Sequence, residues 1–418
     1  MRTRQRVCAV TAVVLAAALA VAGCATGDES SPESAAASAS GTPKALPSAL
    51  DLAIHPVAHL NLDGKKYDAP PPAKPADPAG NGKAVCRRLT IAVAGDLTSK
   101  DGVDGAGVAN GVQLAVDKHN AANPRCPLVL ARVDSKGNTV TATNQAAKLV
   151  GNPNVVAVIG PLTSSEAMET GPVFHKAGLV TLSPSATAPT LTDKDWRTFF
   201  RGVNNDDVQG EAMGRYLAAS GRKRVCVISD DTDGSAGLAR AVTQGLGSSA
   251  VKDCAVSAHR GDLNYAPRIA AITKALADGV FYAGTARDAG PLALALKKAL
   301  PQVHFSAGDE ANNLEFLALA NQGAPEVEMS CSCSPDPSSF AGDYTTKFGM
   351  PPVRYALEAY DLATIVISGI DDGRQNRAKL RDYVAKYSGD GVSRHYQWSP
   401  TGELLGNTVW LYKVGPPI

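Results

Sequence analysis

The chain has 418 residues, with 41 Lys or Arg against 40 Asp or Glu and a formal net charge of +1. So even a balance leaves no electrostatic footprint for a nucleic-acid partner and no strong field for steering a charged one. The length allows for two domains of ordinary size.

The first element is a targeting segment. Arg2, Arg4 and Arg6 form a basic region, and Val10 to Val21 form an apolar one. That is the layout of a secretory signal. The apolar run is short for a membrane-spanning helix, which needs roughly 20 apolar residues. Its end, Val21-Ala22-Gly23-Cys24, resembles the bacterial lipobox, in which the Cys is lipidated and becomes the mature N-terminus. Residues 1–23 are therefore expected to leave as a signal peptide, with Cys24 as the lipid anchor. The Ser/Ala/Pro tract that follows carries few large apolar side chains, so residues 24–85 are expected to form a disordered tether. Within it, His55 and His59 have helical spacing, but Pro56 between them argues against a helix, and no metal site is expected there.

From Leu89 the chain alternates short β-rich runs with amphipathic helical stretches. Leu89–Ala94, Pro127–Val133, Val155–Gly160 and Leu179–Ser183 are expected strands. The rhythm restarts with Val225–Ser229, Cys254–Ala258, Val280–Gly284 and Phe305–Gly308. Such alternation predicts right-handed βαβ crossovers and parallel sheets, hence an α/β chain of two lobes with a changeover near Arg201–Gly210. No later segment is long and apolar enough to span a membrane.

The cysteines fit an oxidising compartment. Cys86 and Cys126 each precede an expected strand, and Cys226 and Cys254 each open one. If the paired strands are neighbours, both sulfurs lie at one strand end, which predicts Cys86–Cys126 and Cys226–Cys254 bridges. Free buried thiols are the alternative. Cys331 and Cys333 either close a very tight ring or stay reduced.

In open α/β sheets, ligands bind beyond the carboxyl ends of the strands. There, Thr163 and Glu166 have capping-box spacing, so a helix start with free N–H groups is expected next to Ser164 and Ser165. The nearly uncharged stretch Leu182–Asp193 follows the next strand, Thr285 follows another, and Asp309 with Glu310 a fourth. Enzyme motifs are missing: no G-x-S-x-G, HExxH or P-loop occurs. Gly105, Gly107 and Gly111 resemble a dinucleotide loop, but the third Gly is late and the run lies well past the strand.

Several of these stretches carry a family resemblance. IGPLTSSEA, LSPSATAPTLT, FRGVNNDDVQG, GLARAVTQGL and WSPTGELLGNTVWLYKV together resemble a type I periplasmic binding protein of the leucine/isoleucine/valine-binding group that serves ABC transporters. The resemblance implies two Rossmann-like lobes joined by three crossovers, near Asn205–Val208, Cys331–Ser334 and Tyr396–Ser399. It divides the chain into lobe one (86–205 and 335–396) and lobe two (206–334 and 397–418). It implies a monomer without cofactor or metal that binds a small amino-acid-like ligand and delivers it to an ABC permease. The ligand carboxylate would meet Ser164, Ser165, Ser185, Ala186 and Thr187, and the ammonium Glu310 with Asp309 beside it. Three pocket positions where the family often has aromatic side chains match Asp104, Gly234 and Thr285, which puts branched-chain specificity in doubt. Asp104 and the run Asp230-Asp231-Thr232-Asp233 either make the cleft acidic or are solvated loop charge. A ligand sensor of the same fold is the alternative function. A secreted enzyme is a second, for which the sequence offers no nucleophile–base pair.

Overall fold

A computed structural model describes residues 52–99, 103–230, 232–254, 259–262 and 264–417. The signal segment, Cys24, Asp231 and most of the expected strand Cys254–Ala258 lie outside the described residues.

The first described element overturns part of the expected tether. Strand β1 (Ala53–Leu60) pairs antiparallel with the C-terminal strand, from Ala53 opposite Gly415 to Leu60 opposite Val409. A short β2 (Lys66–Tyr67) folds back on it. The physical reason is burial: Ala58 and Leu60 are closed off from solvent, and the ring of His59 lies against Trp410 at 3.7 Å. Pro56, which argued against a helix, sits at the irregularity of the β1 pairing, where a missing N–H is tolerated. The Pro-rich run that follows is tied down through its backbone. Ala76 N–H donates to Asp390 O (2.8 Å), Asn123 Nδ2 to Ala79 O (2.9 Å) and Ala84 N–H to Asn123 Oδ1 (3.0 Å). Residues 53–85 are thus part of the fold.

The chain next builds β3 (Leu89–Gly95), α1 (Val103–Ala122), β4 (Leu128–Asp134), α2 (Thr139–Gly151), β5 (Val155–Ile159), α3 (Ser164–Lys176), β6 (Val180–Ser183) and β7 (Phe199–Arg201). These strands form one parallel sheet in the order β4-β3-β5-β6-β7. The chain then crosses to α4 (Asp206–Ala219), β8 (Val225–Ser229), α5 (Asp233–Leu246), α6 (Ala266–Lys274), β9 (Gly279–Ala283), α7 (Ala286–Ala299), β10 (His304–Ala307), α8 (Leu314–Ala320) and β11 (Glu328–Cys331). It returns through α9 (Ser338–Phe348), α10 (Ala356–Asp371), α11 (Arg377–Val384) and the small hairpin β12 (Ser388–Asp390) and β13 (His395–Gln397), and ends in β14 (Val409–Gly415). The second sheet has the order β2-β1-β14-β11-β10-β9-β8. Its β8–β11 strands are parallel; β14 and β1 are antiparallel additions at one side.

The β5 run Val155–Ile159 is buried throughout, as a sheet covered by helices on both faces requires. Helix α10 packs along α1 and is itself almost entirely buried. That contact is close: a Cβ on Gly111 would lie 2.1 Å from Ala356 O.

Cys86–Cys126 and Cys226–Cys254 are bridged, with Cα atoms 4.4 and 5.6 Å apart. Cys331 and Cys333 are bridged as well, so the tight ring closes. It lies where the chain leaves β11 toward the first lobe. Beside it, Gln209 on α4 donates to Ser330 O (3.1 Å) and accepts from Ser332 N–H (3.1 Å). A buried ion pair joins Arg394, just before β13, to Glu358 on α10 at 2.7 Å; Ser334 N–H also donates to Glu358, and Arg394 to Ser332 O.

Candidate functional site

The first lobe offers two loops beyond its strand ends. After β5 the chain turns at Gly160, whose φ is +122° and whose Cβ, if present, would lie 2.2 Å from Ala94 O. Only Gly fits there. The turn delivers Thr163, the N-cap of α3, and both capping-box bonds form: Glu166 N–H to Thr163 Oγ1 and Thr163 N–H to Glu166 Oε2, each 3.2 Å.

Ser164 then joins the two loops. Its Oγ accepts from Thr187 N–H (3.1 Å) and Ala188 N–H (3.0 Å). A hydroxyl has two acceptor sites and one donor, so the O–H of Ser164 is the valence left for a ligand. Ser185 Oγ donates to Leu162 O (2.7 Å), so this predicted contact fastens loop to loop. Ser165 is exposed at the helix start, where its Oγ meets Thr163 Oγ1 at 3.2 Å.

The second loop is held from behind by Arg201, whose side chain is fully buried. Its guanidinium donates to Ala186 O (2.6 Å), Ala188 O (2.8 Å) and Glu403 Oε2 (3.2 Å). The carbonyls on both sides of Thr187 are therefore fixed, and the loop presents Thr187 toward the crossover, where Asp206 N–H donates to Thr187 O (3.0 Å).

The second lobe contributes acids. Beyond β10, Asp309 accepts from Gln209 Nε2 (3.0 Å) and Tyr355 OH (2.7 Å). Arg354 reaches across. It pairs with Asp104 on α1 of lobe one (2.7 Å), donates to Asp309 O, and lies 3.6 Å from the Asp309 carboxylate. One guanidinium thus bridges the lobes. Glu310 lies 3.6 Å from Arg260, which pairs with buried Asp230 at 3.0 Å. Asp230 is therefore not solvated loop charge; its carboxylate also accepts from the Thr232 hydroxyl (2.6 Å).

These neighbours reset the acids. The Glu310 side chain keeps 40% exposure, and desolvation of the rest of it, then the charges of Asp309 and Asp230, push its carboxyl up to about 7. Asp206 is also pushed up to about 7, by burial first and then by Asp309. Both groups titrate near neutrality.

The sequence candidates do not all meet. Ser164 opens α3, Ser185, Ala186 and Thr187 follow β6, and Asp309 and Glu310 follow β10, while Asp104 lies in the first turn of α1, joined to Asp309 through Arg354. Thr285 donates to Asp288 (3.2 Å) at the start of α7, and a Cβ on Gly234 would find nothing within 4 Å. Sequence reasoning missed Arg354, Tyr355 and Arg260. Arg354 did carry a signal: it is a lone cation in the otherwise apolar stretch Met350–Leu357, just after Pro351-Pro352.

Comparison with known proteins agrees with the fold. The family described as "Periplasmic binding protein" matches residues 88–415. A Leu/Ile/Val-binding protein, BraC3, of Rhizobium johnstonii is 27% identical over 338 residues, 78% of this chain and 91% of that one. An amino acid binding protein of Pseudomonas aeruginosa is 25% identical over 337 residues, 78% of this chain and 90% of that one. Among solved structures, the branched-chain amino acid transporter substrate-binding protein LivJ of Streptococcus pneumoniae, in complex with isoleucine, superposes with a TM-score of 0.71 at 22% identity, covering 79% of this chain and 100% of that one.

Proposed function

The chain belongs to the periplasmic binding protein family, and from that premise we propose that it is a lipid-anchored solute-binding protein that captures an amino-acid-like ligand between its lobes and delivers it to an ABC permease. The observation that carries this reading is the opposition of donors and acids across the cleft. Lobe one offers the Ser164 O–H and the start of α3, which suit a carboxylate. Lobe two offers Glu310 and Asp309, which suit an ammonium. Closure on the ligand stabilises one arrangement of two lobes, so affinity depends on the open–closed balance. No covalent step is involved.

Calorimetric titration with neutral, acidic and basic amino acids tests the reading. One should bind at one site per chain. Ser164→Ala, Thr187→Val and Glu310→Gln should each weaken it about tenfold or more, since a hydrogen bond to a charged group contributes about 1.5–3 kcal/mol. Unchanged affinity in all three variants would refute the site. The anchor is tested separately: Cys24→Ala should move the protein from the membrane fraction to the medium.

A further inference from the structure

The cleft holds more negative charge than one ammonium answers. Asp104, Asp206, Asp230, Asp309 and Glu310 meet there, against Arg354 and Arg260. Among the described residues, five acids less two arginines leave a formal excess of three negative charges when all five are ionised, and fewer where Asp206 and Glu310 hold their protons. Arg201 does not change the count, since Glu403 and the loop carbonyls hold it.

Two further observations point to an absent partner. Asp206 is 3% exposed; the Thr187 side chain hydrogen-bonds to its carboxylate, and Oδ2 itself has no partner within hydrogen-bond geometry. It sits at the start of α4, close enough to Asp309 and Glu310 to feel their charges, and its Oδ2 lies 3.3 Å from where a Cβ on Gly237 of α5 would be. The second is Tyr282 at the end of β9, 1% exposed and also without a partner for its hydroxyl. A Cβ built on Gly284 would lie 3.0 Å from that hydroxyl and 3.1 Å from Asp230 Oδ2, so the two face one small space. A buried carboxylate oxygen or hydroxyl without a partner is costly, and N–H donors of a cation would satisfy either one.

We propose that the cleft selects a net-cationic ligand, an amino-acid-like molecule whose second amine or guanidine group lies on the Asp206–Glu310–Asp230 wall, where Arg260 pairs in this structure. The inference rests on the amino-acid-binding reading above and adds the charge class of the ligand. Asp206 and Asp230 become residues that determine specificity. Burial and mutual repulsion hold Asp206 and Glu310 near 7, so a bound cation also relieves that repulsion.

The test is titration of the full chain, in detergent, with L-arginine, L-lysine, putrescine, L-leucine, L-glutamine and L-glutamate. Arginine or lysine should bind at least tenfold more tightly than leucine or glutamine, and glutamate most weakly. Asp230→Asn and Asp206→Asn should each erase most of that preference. Far-UV circular dichroism checks that each variant is folded, and Glu310→Gln provides a third reading of the same wall. If leucine or glutamine binds as tightly as arginine, the charge assignment is wrong and the amino-acid reading stands. If putrescine alone binds, the charge assignment stands and the carboxylate site is wrong. If nothing binds, both are wrong.

Discussion

Arg201 makes the most demanding prediction, because it touches no proposed ligand group and yet underlies the second binding loop. Arg201→Met keeps the bulk of the side chain and removes its donors. Three acceptors lose a charged partner: Ala186 O, Ala188 O and Glu403 Oε2. Two of these are loop carbonyls beside Thr187, and the side chain that served them is fully buried. Breaking a buried, hydrogen-bonded ion pair by removing one partner costs about 3–5 kcal/mol. For a large domain, each kcal/mol shifts Tm by about 2–4 °C, so the melting temperature should fall by about 6 °C or more. Arg201→Lys should recover only part of this, since an ammonium cannot fork to both carbonyls and Glu403 at once. The assay is thermal unfolding followed by circular dichroism, with and without ligand. A second reading comes from affinity, which should fall about tenfold as the loop loses its fixed carbonyls. A melting temperature for Arg201→Met within a degree of the parent, with unchanged affinity, would refute the reasoning.

Four other outcomes follow. Asp206 and Glu310 have folded-state pKa values near 7, above their unfolded ones, so the stability they contribute is complete below about pH 4 and lost as pH rises through about 7. The ligand-free protein should therefore melt at a lower temperature at pH 8 than at pH 6. Glu310→Gln should flatten that slope; an equal slope in the variant would assign it to other groups. Asp206 is faced by Asp309, Glu310, Thr187 and Arg201, and Glu310 by Asp309, Asp230, Arg354 and Arg260. In acid the sign reverses at Glu328. Burial alone would raise its carboxyl, but hydrogen bonds from His304 and Tyr216 more than offset it and hold it down, so its stabilisation disappears as pH falls below the usual carboxylate range. Glu328→Gln should weaken the acid sensitivity of urea unfolding. Replacing both Cys86 and Cys126 with Ser removes a bridge across 40 residues of chain and should cost about 4 kcal/mol on the loop-entropy account, read as a shift in the denaturation midpoint. Gly111→Val should destabilise strongly or prevent folding, because α1 and α10 have no room for a side chain at their contact; a normal melting curve would contradict the close approach.

Much of this arrangement was legible in the sequence because local rules determine it. Thr163 and Glu166 announced the start of α3 by spacing alone, and both capping bonds form. The alternation of strand and helix placed the strand ends, and with them the ligand loops. Side chains that act only through tertiary contact were hidden. Arg354 reaches Asp104, which lies 250 residues away in the chain, and no local pattern encodes that meeting. Strand β1 was missed for a related reason. Its residues look like weak spacer until β14 supplies the partner that satisfies their backbone. Ser185 carried the opposite lesson: a hydroxyl in a ligand loop faces the protein when a neighbouring carbonyl lies within reach.

The N-terminal run has a mechanical consequence. It leaves the second sheet at β2, and its backbone next attaches to Asp390 and to Asn123 just past α1, before the Cys86–Cys126 bridge pins it again. Pro70, Pro71, Pro72, Pro75 and Pro78 stiffen the stretch between. A strut of this kind resists both extension and shortening. It lies outside residues 88–415 and is bonded at both ends, so a swing of one lobe against the other would have to strain it. The freedom of the lobes to part would then be limited by a segment with no place among the candidate ligand groups.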